Sequence, residues 1–240
     1  VKQAYAVHGK KDKLSWGTFY ESKNTNGWKD FLSTGTRKEK TKGDGNLGSV
    51  PGYDADASGN PIIGNRGNKY VMSESYGFNM GYSFNDDQKL TYKYTHSNYA
   101  WSYTDPVSFL KDDNGNEIWH GNLKNTNGTT IAVTPYNLLG NNGWRAYDMH
   151  SLTYNDQKNK VHAHFGLTDY TKDGYSYISS KNTGLEGAGT KSSYPSKSWD
   201  FDINKRWTWG AHTVLAGASY GEDRFDQTVY DITNWRLWNS

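Results

Sequence analysis

Between residues 76 and 84 the chain reads YGFNMGYSF: Tyr76, Phe78, Met80, Tyr82 and Phe84 hold one parity, and Gly77, Asn79, Gly81 and Ser83 the other. A period of two marks a strand, because successive Cβ atoms there point to opposite faces. The run is therefore extended, with one apolar and one polar face. Past the turn NDDQ at 85–88, KLTYKYTH sets Leu90, Tyr92 and Tyr94 against Lys89, Thr91, Lys93 and Thr95, so the two segments read as a hairpin. The same period returns in VHAHFGLT, with Val161, Ala163, Phe165 and Leu167 against His162, His164, Gly166 and Thr168. It returns again in SWDFDIN, where Trp199, Phe201 and Ile203 oppose Ser198, Asp200, Asp202 and Asn204. In HTVLAGASY, Val214, Ala216, Ala218 and Tyr220 oppose Thr213, Gly217 and Ser219, with Leu215 the exception.

Applied to the whole chain, this periodicity predicts about eight strands, near 1–10, 13–27, 68–84, 89–104, 143–154, 160–177, 196–205 and 211–233. Four connections are short: KKD at 10–12, NDDQ at 85–88, NDQKN at 155–159, and a turn between Asn204 and His212. The other three, near 28–67, 105–142 and 178–195, are long and hold all five prolines, Pro51, Pro61, Pro106, Pro135 and Pro195, away from ladders that need every N–H. Short turns alternating with long loops are the habit of an all-β, antiparallel, up-and-down transmembrane barrel, with the short turns periplasmic and the loops extracellular. Several strands exceed the roughly 9–11 residues that cross a bilayer. The expected fold is part of a single outer-membrane β-barrel domain covering residues 1–240. Two of its loops should fold back as small hairpins around Ser58-Gly59-Asn60 and Asn114-Gly115-Asn116.

Composition narrows the function. Ten Trp, 19 Tyr and 8 Phe beside 26 Gly are β-rich, aromatic chemistry, and a formal charge of +2 gives no electrostatic reason to expect nucleic acid as a partner. The absence of cysteine excludes disulfides, thiolate zinc sites and cysteine catalysis. No run approaches the roughly 20 apolar residues of a spanning helix. Val1 follows neither a start Met nor a signal segment, so the chain reads as a mature fragment. A mean hydropathy of −0.95 is low for a membrane protein, but a barrel shows lipid only every second residue and carries wet loops. There is no GxSxG elbow, HExxH, GxxxxGK or paired-carboxylate motif, so an enzyme is not expected, and no cofactor is expected either.

With YGFNMGYSF-NDDQ-KLTYKYTHSNYAWSYTDP and AHTVLAGASYGEDRFDQTVYDITNW in view, the chain resembles the barrel of a TonB-dependent outer-membrane receptor. The resemblance is a style of strand and turn across most of the chain, most specific from His212 to Tyr220 and at Trp235. It implies about 22 strands around a plug, with neither the plug nor the segment that contacts TonB present in this sequence. It also implies localisation in the outer membrane of a Gram-negative-type bacterium, and active uptake of a scarce nutrient, a ferric siderophore being the first candidate. The implied partners are outer-membrane lipid, a small-molecule iron chelate or similar nutrient, and an inner-membrane energy-transducing protein acting through the absent plug. Strand direction agrees with a fragment: if the short turns are periplasmic, both ends of this chain lie outside, whereas a complete barrel of this kind has both ends on the periplasmic side.

Candidate ligand contacts come from the rim and the long loops: Tyr99, Trp101, Tyr103, Trp119, Trp144, Arg145, Tyr175 and Arg224. There aromatic faces could hold a flat chelate and guanidinium groups could pair with its charge. The aromatics, with Tyr177, equally suit an interfacial girdle, and each Arg equally suits a solvated surface position. Tyr82, Phe84, Tyr154 and Trp207 flank the short turns, as a girdle does. His162 and His164 share the polar parity of one strand, and are either ligands for metal or haem or plain polar positions. His150 and His212 fall at lipid-facing or interfacial positions and His120 in a loop, none at metal-ligand spacing. Asp54, Asp56 and Ser58 resemble the start of a calcium loop, but Asn65 stands where its closing Glu belongs, which favours a plain turn. Two rival readings remain: a passive porin-like channel without a plug, and a soluble secreted β protein that binds glycans through Trp and Tyr. The second requires the aromatic faces of 76–84 and 199–203 to be packed in a core.

Overall fold

The computed structural model describes residues 2–25, 27–28, 32–34, 36–38, 47–50, 61–112, 114–125 and 130–236. In chain order the elements are β1 (Lys2–Lys11), β2 (Leu14–Thr25), β3 (Leu32–Thr34), β4 (Thr36–Lys38), β5 (Leu47–Val50), β6 (Ile62–Asn65), β7 (Asn68–Ser83), β8 (Gln88–Thr104) and β9 (Val107–Ser108). They continue with β10 (Gly121–Asn125), β11 (Thr130–Val133), one short helix α1 (Pro135–Leu138), β12 (Asn142–Asp156), β13 (Val161–Ile178), β14 (Gly189–Ser193), β15 (Ser196–Trp209), β16 (His212–Phe225) and β17 (Thr228–Ile232).

The chain is all-β. Its main sheet has ten strands, all antiparallel, running β1-β2-β7-β8-β12-β13, after which β13 pairs with both β14 and β15, and these with β17 and β16. The last four are two interrupted strands. Gly189 pairs with Ile232 and Ser196 with Phe225, so the register is unchanged across the gap at Tyr194-Pro195 and Asp226-Gln227. Pro195 has no N–H for a ladder, yet its carbonyl still accepts from Asp226 N–H at 3.1 Å. This corrects two expectations: 211–233 is not one unbroken strand, and 178–195 is not wholly loop.

Outside one bulge in β13, each face keeps the parity read from the sequence. Leu14–Tyr82, Trp16–Met80 and Tyr20–Tyr76 pair across β2 and β7, and Phe78–Tyr94, Met80–Tyr92 and Tyr82–Leu90 across β7 and β8. His150, Leu152 and Tyr154 continue this apolar face on β12, and Ala163, Phe165 and Leu167 on β13. Phe201 and Ile203 on β15 and Ala218 and Tyr220 on β16 complete it. Tyr82, Phe84, Tyr154 and Trp207 lie at its turn end. The opposite face is polar, with Ser15, Gly81, Thr91, Lys93, Ser151 and Thr153 in successive positions. Among the described residues the sheet is open: β1 pairs only with β2, and β16 only with β15.

The short turns are laced together at one end. Lys13 donates its Nζ to the Phe84 carbonyl at 2.8 Å, and Gln157 N–H to the Asp87 carbonyl at 2.9 Å. Asp156 accepts from Asn159 N–H and from the side chains of Gln88 and Asn159, each at 2.8 Å. These donors hold its carboxyl down at about 2, the Asn159 backbone bond contributing most.

The packed core is elsewhere. The loops near 28–67 and 105–142 pair with each other as two small sheets, β4-β11-β10-β5 and β3-β6-β9. They enclose Ile63, Leu110, Ile118, Leu123, Ile131, Val133 and Leu138. A second, smaller cluster joins Leu139, Ile178 and Trp235. The turn expected at Asn114-Gly115-Asn116 is present: Asp112 N–H donates to the Asn116 carbonyl, Lys111 bridges Glu117, and Gly115 has φ +81°. The hairpin around Ser58-Gly59-Asn60, with Asp54, Asp56 and Ser58, lies outside the described residues.

Candidate functional site

One irregularity in β13 builds the site. Asp148 pairs with Asp169, but Ala146 pairs with Lys172, so β13 carries one extra residue opposite Tyr147. A bulge of this kind shifts every later side chain by one position. Tyr175 and Tyr177 share odd parity with Phe165 and would point to the apolar face; the bulge turns them to the polar face, where Gly143 faces both Trp101 and Tyr175.

The result is an aromatic panel on the polar face, at the long-loop end. Tyr99 and Trp101 lie 5.5 Å apart, Tyr147 and Tyr170 5.2 Å, Tyr175 and Tyr177 5.9 Å, and Tyr175 and Tyr194 5.8 Å. All of these rings are half-buried. The Trp101 indole lies flat across Gly143, where any Cβ would run into it, and its Nε1–H donates to Asn141 Oδ1 at 3.3 Å. Tyr103 covers Gly140 in the same way. Arg145 lies between Tyr99 and Asp173 in the register, and its Nη2 is 3.0 Å from Asp173 Oδ2. Its guanidinium also sits 5.7 Å from the Tyr170 ring. The Tyr194 hydroxyl donates to the Tyr175 hydroxyl at 3.2 Å.

Of the rim residues selected from sequence, Tyr99, Trp101, Tyr103, Arg145 and Tyr175 meet in this panel. Trp144 and Arg224 lie on the opposite, apolar-side face: Trp144 holds Lys191 Nζ at 4.9 Å, and Arg224 Nε is 2.7 Å from Glu222 Oε1. Trp119 packs against the core of the loop lobe. Tyr147, Tyr170 and Tyr194 were missed. The polar parity of Tyr147 and Tyr170 is readable in the sequence, whereas Tyr194 falls within the loop expected at 178–195.

His162 and His164 do take the polar face, and each has protein partners. His162 Nδ1 is 2.7 Å from Asn155 Oδ1, and His164 Nδ1 is 3.1 Å from Thr153 Oγ1. Asp202 and Asp200 stand 4.0 and 3.6 Å from their other ring nitrogens. Beside them a pocket of 530 Å³ opens between Asn155, Lys160, His162, Asn204 and Arg206, far from the panel. Among the described residues no group of three or more His, Asp or Glu side chains could hold a metal ion.

No family model, no curated protein and no solved structure matches the chain.

Proposed function

We propose that the chain is an arc of the wall of an outer-membrane β-barrel receptor that takes up a scarce nutrient, its long loops outside the cell and its short turns in the periplasm. One observation carries this reading: among the described residues nothing packs on the apolar face of the main sheet between its short-turn end and the level of Tyr76. Tyr76, Phe78, Met80 and Tyr82 are 40–46% exposed, as are Phe165, Phe201 and Ile203 within the same range. Each such side chain leaves on the order of 80 Å² uncovered, and with Trp16, Leu152, Val214 and Tyr220 exposed on the same face the band exceeds the few hundred Å² of contiguous apolar surface that a soluble monomer shows. A bilayer covers such a band without any protein partner. The soluble glycan-binding rival needs these same residues packed in a core.

Dimensions agree. On β12 Asp148 takes this face in register with His96, bound by the Tyr94 hydroxyl at 2.6 Å, but on β7 the run from Phe84 to Glu74, the first charge on that strand, is about ten residue steps, or about 33 Å along the strand at 3.3 Å per step. A tilt of about 40° reduces this to about 25 Å, the height of the apolar band in such barrels. The two unpaired edges, β1 and β16, are the places where a larger barrel continues, since lipid tolerates no free ladder.

Binding is assigned to the panel, because it lies at the loop end of the polar face. A ferric siderophore is the first nutrient by family resemblance, and passive passage through an open lumen the second reading. In the receptor reading the chain supplies binding energy alone, with opening driven from the inner membrane. Fractionating cells and washing membranes with urea tests the location: the protein should stay in the outer-membrane fraction, with segment 178–195 open to protease added outside. Release by urea would refute it. Sequencing the coding region upstream of Val1 separates receptor from channel, since a plug of about a hundred residues belongs to the first only.

A further inference from the structure

We infer that the ligand of the aromatic panel is a neutral, hydroxyl-rich ring compound, a saccharide in chemical class, rather than an anion. The inference rests on the receptor reading and specifies its substrate. It starts from the charges. Of the cations expected to meet an anion, Arg145 and Arg224 are both paired, and the further cation on this face, Lys69, lies beyond Tyr103 against the Tyr103 and Trp28 rings. Arg145 is 3.0 Å from Asp173 within the panel, and Arg224 is bound to Glu222 on the other face. Arg145 is thus already neutralised where a ligand would sit. An arriving anion would have to displace a carboxylate that stays beside it, and would meet that carboxylate's repulsion. A neutral ligand meets no such cost.

The shape and the polar groups point the same way. Trp101 is seated against Gly143 and held by Asn141 at its Nε1, so the indole has a fixed orientation while remaining half-buried. A pyranose has a C–H-rich face that fits such a surface, and hydroxyls around its edge. On the same face stand the Tyr99 phenol, the Tyr175–Tyr194 hydroxyl pair at 3.2 Å, and the Arg145–Asp173 pair, which together offer both donors and acceptors. Tyr147, Tyr170 and Tyr177 extend the row by further rings, room for more than one sugar unit. Lys69 sits at the upper margin, 5.8 Å from both Trp28 and Tyr103.

The test uses the full chain as isolated from the outer membrane, with maltohexaose, cellohexaose and laminarihexaose as neutral probes and ferric citrate as the anionic one. Binding is read by calorimetry at low and high sodium chloride. The expected result is that at least one hexasaccharide binds, with a Kd that moves less than about twofold between the two salts, since no ion pair is formed on binding. Trp101→Ala should weaken it at least tenfold, while Trp101→Phe, which keeps an aromatic face, should restore most of the loss. Salt-sensitive binding of ferric citrate with no hexasaccharide bound overturns the inference, as does silence from every hexasaccharide. A protein that resists urea extraction yet binds only ferric citrate sinks the saccharide assignment and leaves the wall intact; one that washes out of the membrane sinks the wall itself.

Discussion

Phe78 and Asn79 are adjacent on β7 and face opposite ways, so a single arginine moved by one residue separates the two environments. Phe78 lies about six steps above Phe84 and about four below Glu74, within about one residue of the middle of the band. If the band sits in a bilayer as proposed, Phe78→Arg should cost about 2–4 kcal/mol, the penalty of a cation at the bilayer midplane. That is roughly a 30- to 700-fold shift in the folding equilibrium. Asn79 pairs with Gly17 on one side and Lys93 on the other. Asn79→Arg therefore meets a like charge across one strand pair, worth about 1 kcal/mol or less. The assay is reversible urea unfolding in phosphatidylcholine vesicles, followed by tryptophan fluorescence. On a soluble sheet, arginine at a residue 40% exposed should cost only about 0.5 kcal/mol. Equal losses at the two positions would refute the assignment of faces.

Three further outcomes follow from other parts of the molecule. Asp156 is depressed to about 2, so in its titration range the unfolded chain binds the extra proton; its stabilisation is present above about pH 4 and is lost as pH falls toward 2, and Asp156→Asn should remove that part of the acid limb of an unfolding titration. Gly143→Val should push the Trp101 indole off the sheet, lowering ligand affinity at least tenfold and shifting indole fluorescence while barrel extraction behaviour is unchanged. Leu123, fully buried in the loop lobe, should cost that lobe about 2–5 kcal/mol when cut to Ala; hydrogen exchange should then quicken in β10 and β11 and stay slow in β7, and a uniform loss of protection would count against the lobe having its own core.

The long strands were legible because each announces itself locally. Tyr76 to Phe84 alternates without help from any other segment, and the turns at 10–12, 85–88 and 155–159 fall where the alternation stops. The loop lobe has no such signal. Ile63, Leu110, Ile118, Leu123 and Ile131 stand alone or in apolar runs of two or three residues, too short to show a period, and their meaning arises only when β4 meets β11 and β5 meets β10. The candidate site was half legible. Arg224 has the parity of Tyr220 and Ala218, so its position on the apolar-side face was open to counting, as was that of Trp144 from Leu152 and Tyr154. Tyr175 was not, because the bulge opposite Tyr147 reverses the count, and one extra residue in a polar stretch such as TDYTKDG leaves no periodic trace.

The lobe also constrains the order of assembly. Its strands come from two loops that flank the β7–β8 hairpin, and they are brought together only where Asn68 pairs with Thr104 at the head of that hairpin. Until then β4 and β11, or β5 and β10, are separated by a long stretch of chain whose closure entropy nothing repays. Each long hairpin, by contrast, closes across a turn of a few residues. The sheet should therefore form first and the lobe last. Folding would then pass through a stage in which the long strands are already paired while the lobe is still open, leaving Ile63, Leu123 and Ile131 uncovered.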